Sequence, residues 1–193
     1  MEGESILSCM NTPLKNPLLI DGVYTQTLTP YADERGSLTE LYRSAWTTDP
    51  MIQWNYVQSK ADVLRGMHMH IRHTDCVVAL SGSMLVNLKD LRPYSPTYGQ
   101  IAQITLTGPD RFLVIPPGVA HGFYCPEATL FMFAVSNYFD QGDEFGCHYQ
   151  DADLAVSWPV TDATTVSLRD LKLPSLAAML EQTPPLLEDI RVS

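Results

Sequence analysis

This sequence predicts an all-β domain, an antiparallel sandwich or barrel, and three observations predict it. Apolar, β-branched and aromatic residues come in short runs rather than long helical stripes. Turn signals such as Ser81-Gly82, Ser95-Pro96, Gly108-Pro109-Asp110 and Pro116-Pro117-Gly118 separate the runs. Two segments, Val63-Leu64-Arg65-Gly66-Met67-His68-Met69-His70 and Pro116-Pro117-Gly118-Val119-Ala120-His121-Gly122-Phe123, set histidine just after a glycine turn beside a β-rich run. Together they place imidazoles in the mouth of a small barrel.

Taken in order, strands are expected at Gly22 to Leu28, Met51 to Gln58, Cys76 to Leu80, Ser83 to Asp90, Ile101 to Leu106, Arg111 to Ile115 and Thr129 to Ser136. Closure into a barrel would remove the edges that so many strands otherwise expose. The charged stretch Asp33-Glu34-Arg35-Gly36-Ser37-Leu38-Thr39-Glu40 reads as a hairpin turn with solvated charges. Helical pattern is confined to the end. Ser167-Leu168-Arg169-Asp170 opens one turn, and Ser175 caps a helix from about Leu176 to Gln182 that Thr183-Pro184-Pro185 ends. No repeat or linker interrupts the 193 residues. One domain spanning 1–193 is expected, with its core at about 18–160 and a helical extension at about 161–193.

A hydrophobic content of 45% suits a real core. The formal net charge of −10 argues against nucleic acid or an anionic membrane as the main partner. A few arginines can still bind a phosphorylated small ligand. No apolar run approaches the roughly 20 residues of a membrane span, and Met1 to Met10 show no secretory signal. Cys9, Cys76, Cys125 and Cys147 are scattered without a CxxC pair, which favours a reducing, cytoplasmic setting. Cys76, inside an apolar run, is expected to be a buried free thiol.

Histidine chemistry decides the function. Residues two apart on a strand face one side, so His68 and His70 point together. With Asp75 and His121 they could ligate one divalent ion of the Fe, Mn, Ni or Zn class. The plainer reading leaves His70 and His73 as exposed strand-end histidines. Tyr138, in Ser136-Asn137-Tyr138-Phe139-Asp140, and Asp170 carry no functional weight alone, reading as a packed tyrosine and a helix-start carboxylate.

Together these segments resemble the dTDP-4-dehydrorhamnose 3,5-epimerase family, cupin-type nucleotide-sugar epimerases, from about Leu18 to Pro174. The markers are Asp33-Glu34-Arg35-Gly36, Gln53-x-Asn55, Val63 to His68, Asp90-Leu91-Arg92 with Ser95-Pro96-Thr97-Tyr98-Gly99, Ile115 to Phe123, Asn137-Tyr138, Glu144, Trp158-Pro159 and Ser167 to Asp170. The resemblance implies a cupin-like jelly-roll barrel, commonly a homodimer exchanging an N-terminal strand. It implies an isomerase acting on a nucleotide-linked 4-keto-6-deoxy sugar at carbon 3, carbon 5 or both, with no metal cofactor. His68 would be the general base, Asp170 would orient it and raise its basicity, and Tyr138 would return a proton to the opposite face. Arg35, Glu40, Gln53, Asn55, Arg65, His121 and Arg169 would bind the nucleotide, its diphosphate or the sugar.

The chain also departs from the family pattern. Asp75 stands where the family has a lysine beside the developing enolate, and preorganised positive charge there is a large term. The loop after His68 is shorter than the family's, so Arg72 is an alternative source of that charge. His70 replaces a glutamine, Leu38 an aromatic residue against the nucleotide, and Arg169 a lysine. Two other readings stand beside the epimerase. One is a metal-dependent cupin enzyme using His68, His70, Asp75 and His121 on one divalent ion. The other is a non-catalytic sugar-nucleotide-binding relative.

Overall fold

The computed structural model describes residues 15–185. Cys9 and the first ten residues, read above for a signal, lie outside the described residues.

The strands are β1 (Lys15–Pro17), β2 (Tyr24–Thr27), β3 (Pro30–Asp33), β4 (Gly36–Thr39), β5 (Gln53–Ser59), β6 (Val63–Met69) and β7 (Asp75–Ser81). They continue as β8 (Ser83–Asp90), β9 (Ile101–Thr107), β10 (Arg111–Ile115), β11 (Val119–Cys125), β12 (Thr129–Val135), β13 (Phe145–Gly146) and β14 (Thr165–Val166). Helix α1 spans Leu176–Gln182.

One sheet has the order β1-β2-β10-β7-β12-β5, the other β13-β6-β11-β8-β9, and β14 joins the second by pairing in parallel with β6. β3 and β4 form a separate hairpin at the expected charged stretch. The two layers are antiparallel within the main path and cupin-like, but hydrogen bonding does not close them into a barrel. The chain crosses between the two large sheets at β5–β6, β6–β7, β7–β8, β9–β10, β10–β11, β11–β12 and β12–β13. Side chains packed between the layers, rather than a continuous ladder, therefore complete the structure, and the edge strands remain.

The central core lies between the sheets. Val77, Ala79, Leu113, Ile115 and Phe131 from one layer meet Met84, Val86, Leu88, Ile104 and Leu106 from the other. β9 alternates buried and exposed positions, as a strand with one wet face must. β7 does not alternate, because the segment bearing Leu28, Trp46 and Met51 covers its other face at Cys76 and Val78. That double burial explains its unbroken apolar run.

The C-terminal region covers the outside of the second sheet, where Leu176 and Met179 pack with Met67, Met69, Ala120, Cys147 and Leu154. α1 starts where the sequence expects. Ser175 Oγ accepts a hydrogen bond from the Ala178 amide at 3.2 Å, as an N-cap does. Cys76, Cys125 and Cys147 are buried free thiols.

A β-bulge sets the orientation of the histidines. β6 pairs His68 with His121 and Arg65 with Phe123, so β6 carries one more residue than β11 between them. Gly66 sits in that irregularity at φ 111°. A Cβ there would lie 2.7 Å from Gly122 Cα and 2.9 Å from the His121 carbonyl oxygen, so the two strands can approach only through glycine. The extra residue shifts the alternation, and Val63, Arg65, His68 and His70 all line one cavity.

Candidate active site

That cavity, about 840 Å³, opens between the sheets. Val57, Val77, Phe123, Phe131, Phe133 and Val135 form its apolar bed. Four of the five histidines line it: His68, His70, His73 and His121. Lys60, Arg65 and Arg169 supply cationic groups, while Asp75, Glu144 and Asp170 supply carboxylates.

His68 is half-buried on β6, with Nε2 2.8 Å from Asp170 Oδ1. A carboxylate only accepts, so Nε2–H donates and Nδ1 keeps the lone pair. Asp170 is itself anchored. Its amide donates to Ser167 Oγ at 3.0 Å, and its Oδ2 accepts from the Gly66 amide at 3.4 Å. Burial pushes the Asp170 carboxyl up, but the His68 hydrogen bond and the Gly66 amide outweigh it and hold the group below the ordinary carboxylate range. The result is a fixed imidazole with one free basic nitrogen, backed by an anion. β14 and the turn after it bring Asp170 across 102 residues of sequence.

His121 is fully buried on β11, and its Nδ1 donates to the Val119 carbonyl at 3.1 Å. Burial lowers it to about 4, so at neutral pH it is uncharged and offers Nε2 as an acceptor.

His70 and His73 are buried, not exposed at a strand end as the plainer reading expects. Their rings stack with centroids 4.2 Å apart. His73 Nδ1 meets Asp143 Oδ2 at 3.0 Å and Nε2 meets Asp75 Oδ2 at 3.7 Å. Burial pulls the His73 imidazole down, but the two carboxylates dominate and carry it up to about 9. Asp75 is buried and held below its usual range, because His73 and its neighbouring imidazoles overcome the cost of desolvation.

The four-ligand set His68, His70, Asp75 and His121 does not assemble. Among the described residues, the cluster whose ligand atoms lie within 4.8 Å of one another is His70, His73 and Asp75. His68 instead spends a nitrogen on Asp170. Arg72 does not reach the cavity. It is exposed in the turn between β6 and β7 and pairs with Asp140 at 2.7 Å.

Gln53, Asn55, Arg65 and Arg169 line the cavity as the sequence suggests. Gln53 Oε1 accepts from the Phe139 amide at 2.9 Å. Asn55 Nδ2 is buried with no partner among the described residues, a donor left for a ligand. Arg169 ion-pairs with Glu144 at 2.7 Å. Arg35 and Glu40 are elsewhere. Arg35 is exposed on the β3–β4 hairpin and pairs with Asp33, while Glu40 pairs with Arg43. Tyr138 is 71% exposed and not part of the lining, although the next residue, Phe139, is. Sequence reasoning passed over Lys60, His73 as a buried group and Asp143. A histidine three residues after His70 was the only available signal for the last two.

Comparison with known proteins follows this geometry closely. The family model described as dTDP-4-dehydrorhamnose 3,5-epimerase matches residues 17–178. A dTDP-4-dehydrorhamnose 3,5-epimerase of Streptomyces griseus is 32% identical over 173 residues, covering 84% of this chain and 86% of that protein. A dTDP-4-dehydrorhamnose 3-epimerase of Streptomyces niveus is 32% identical over 169 residues, covering 80% and 79% respectively. A crystal structure of the dTDP-6-deoxy-D-glucose-3,5-epimerase of Legionella pneumophila, in complex with dTDP-4-keto-L-rhamnose, superposes with a TM-score of 0.80. It is 31% identical and covers 89% of this chain and 97% of that one.

Proposed function

The chain belongs to the dTDP-4-dehydrorhamnose 3,5-epimerase family, and we propose that its cavity epimerises a dTDP-linked 4-keto-6-deoxy sugar through His68, Asp170 and Tyr138. The observation that carries the assignment of the base is the His68–Asp170 pair on the cavity wall.

The reaction is an isomerisation, so the carbon gains one proton for the one it loses, and exchange with water resets the protonated base and deprotonated acid. His68 Nδ1 takes a proton from carbon next to the 4-keto group, and the C–H electron pair moves into an enolate. Asp170 holds the tautomer that leaves Nδ1 free and balances the imidazolium that forms. Tyr138, one residue before the cavity-lining Phe139, is assigned the donation of a proton to the opposite face. Return from that face inverts the carbon. Lys60, Arg65 and Arg169 hold the diphosphate, the neutral His121 accepts from a sugar hydroxyl, and Gln53 and Asn55 bind polar groups of the ligand. These proton transfers use side chains alone and call for no cofactor.

The partner is a nucleotide-diphosphate sugar. We also assign a homodimer in which the β3–β4 hairpin, with Arg35 and Leu38 exposed, closes over the partner's cavity. The exposed Trp54 and Tyr56 on edge strand β5 support an interface on that side. No helix among the described residues is long and apolar enough to cross a membrane. The unpaired buried thiols support a cytoplasmic setting.

The test is incubation of the protein in D2O with a dTDP-linked 4-keto-6-deoxy hexose, followed by NMR. Deuterium is expected at carbon 3, carbon 5 or both. A substrate that binds without exchanging would make the chain a binding protein rather than an epimerase.

A further inference from the structure

The cluster at the closed end of β6 and the start of β7 is unused by the proton transfers above. His70, His73 and Asp75 are each less than a tenth exposed, yet all three line the cavity. Their polar contacts are ordered in one sense. His70 Nδ1 lies 3.0 Å from the Asp143 carbonyl oxygen, and His73 Nδ1 lies 3.0 Å from Asp143 Oδ2. Each Nδ1–H therefore has an acceptor, and each Nε2 faces Asp75, the one on His73 bearing the exchangeable proton that makes this imidazole a cation at neutral pH. The Nε2 atoms stand 4.0 Å and 3.7 Å from the same Asp75 oxygen.

Asp143 is held in turn. Its side chain accepts from the amides of Ile71 at 2.9 Å and Arg72 at 3.2 Å. Backbone thus fixes the carboxylate, the carboxylate and its own carbonyl fix two imidazoles, and the imidazoles face a third anion. Outer carboxylates and carbonyls orient metal-bound histidines in this way. Asp75 and Asp143 around the His73 imidazolium already make a buried cation site, and a divalent ion would take the place of the His73 Nε2 proton, which is released as it binds.

We propose that His70, His73 and Asp75 form a binding site for one divalent first-row transition ion. Two imidazole nitrogens and one carboxylate oxygen suit zinc, cobalt, nickel, iron or manganese, and disfavour magnesium and calcium, which want oxygen. Ligand distances of about 2.0–2.2 Å imply separations near 3.4 Å in a tetrahedral arrangement, so the two imidazole–carboxylate separations of 4.0 Å and 3.7 Å need to close by about half an ångström and the imidazole nitrogens, within 4.8 Å of one another, by at most roughly 1.4 Å. The positions left open face the cavity, where water or a carbonyl or hydroxyl oxygen can enter. A bound ion would also offset the negative charge of Asp75 beside the ligand.

This site does not rest on the epimerase reading, and its test does not read epimerisation. Full-length protein stripped with EDTA and dialysed at pH 7.5 is titrated with Co²⁺ by absorbance and with Zn²⁺ by calorimetry. One equivalent is expected to bind, with cobalt d–d bands that report nitrogen and oxygen ligands. Asp75→Asn and His73→Gln should each weaken binding by more than about 10-fold, and Asp143→Asn by about 10- to 100-fold. His148→Gln, which alters the histidine outside the cavity, should leave affinity unchanged. If those variants fold poorly by circular dichroism, X-ray absorption of zinc-loaded wild-type protein decides, since two imidazole ligands are required. Binding of less than a tenth of an equivalent overturns the site. So does binding unaffected by Asp75→Asn and His73→Gln, or a zinc shell with fewer than two imidazoles.

Discussion

Moving a proton off carbon is a demand placed on one nitrogen of one residue. His68 meets it because Asp170 occupies Nε2 and leaves Nδ1 basic. His68→Ala should therefore lower solvent deuterium exchange by about 10²- to 10⁴-fold, the usual contribution of a general base, while the protein still binds dTDP. Asp170→Asn should keep the fold and cost about 10²-fold or more in turnover, because an amide can impose the wrong tautomer. Near wild-type exchange in either variant would remove that residue from the mechanism. Tyr138→Phe should separate two events, since the proton still leaves but the opposite face receives none. Deuterium would enter with retained configuration, and normal inversion would assign the acid to another group. At this scale His68, Asp170, Gln53, Asn55, Arg65 and His121 were legible, because each lies in a short motif of recognisable order. His73 was not. Its burial depends on Asp143, brought close by the fold from seventy residues further along the chain.

At the scale of elements, turns and bulges decide where side chains point. Strand periodicity alone puts His68 and His70 on one face, but it puts Arg65 on that face only after the bulge at Gly66 has shifted the alternation. The turn after β8 is held by charge. Asp90 is fully buried and takes both Arg92 Nε and Nη2 at 2.8 Å, Ser95 Oγ at 2.6 Å and Thr97 Oγ1 at 2.6 Å. Removing one partner of such a pair strands the other, so Asp90→Ala should cost about 3–5 kcal/mol. For a chain of this size that is a loss of about 6–20 °C in Tm, measurable by calorimetry. A change of only one or two degrees would mean that the arginine finds water instead. The segment Asp90-Leu91-Arg92 with Ser95 and Thr97 was visible in the sequence as a marker. That it is a buried ion-pair turn became visible only when both sheets were in place.

Across the whole molecule, the buried titratable groups pull stability in opposite directions with pH. Asp75, Asp90, Asp143 and Asp170 all sit below the ordinary carboxylate value, so their contributions hold at neutral pH and are lost as pH falls through those lowered values. His121, lowered from 6.5 to about 4, refuses a proton that the unfolded chain accepts, so stability also falls from about pH 6.5 toward pH 4. His73, raised from 6.5 to about 9, contributes fully below pH 6.5 and loses that contribution as pH rises through about 9. In chelator-treated protein, Tm should peak near pH 6.5 and decline on both sides. His73→Gln should flatten the alkaline decline, and an unchanged alkaline limb would show that His73 is not charged in the fold. The sequence by itself determined the all-β class, seven of the fourteen described strands, the Ser175-capped helix and the family, because those signals are written in residues within a few positions of one another. Only the tertiary structure decided that the two sheets stay unclosed, that Arg35 and Glu40 lie away from this chain's own cavity, and that His70, His73 and Asp75 converge while His68 turns to Asp170. The reason is physical: those outcomes depend on strand register and on contacts between distant segments, and no local pattern of residues encodes which distant carboxylate an imidazole will meet.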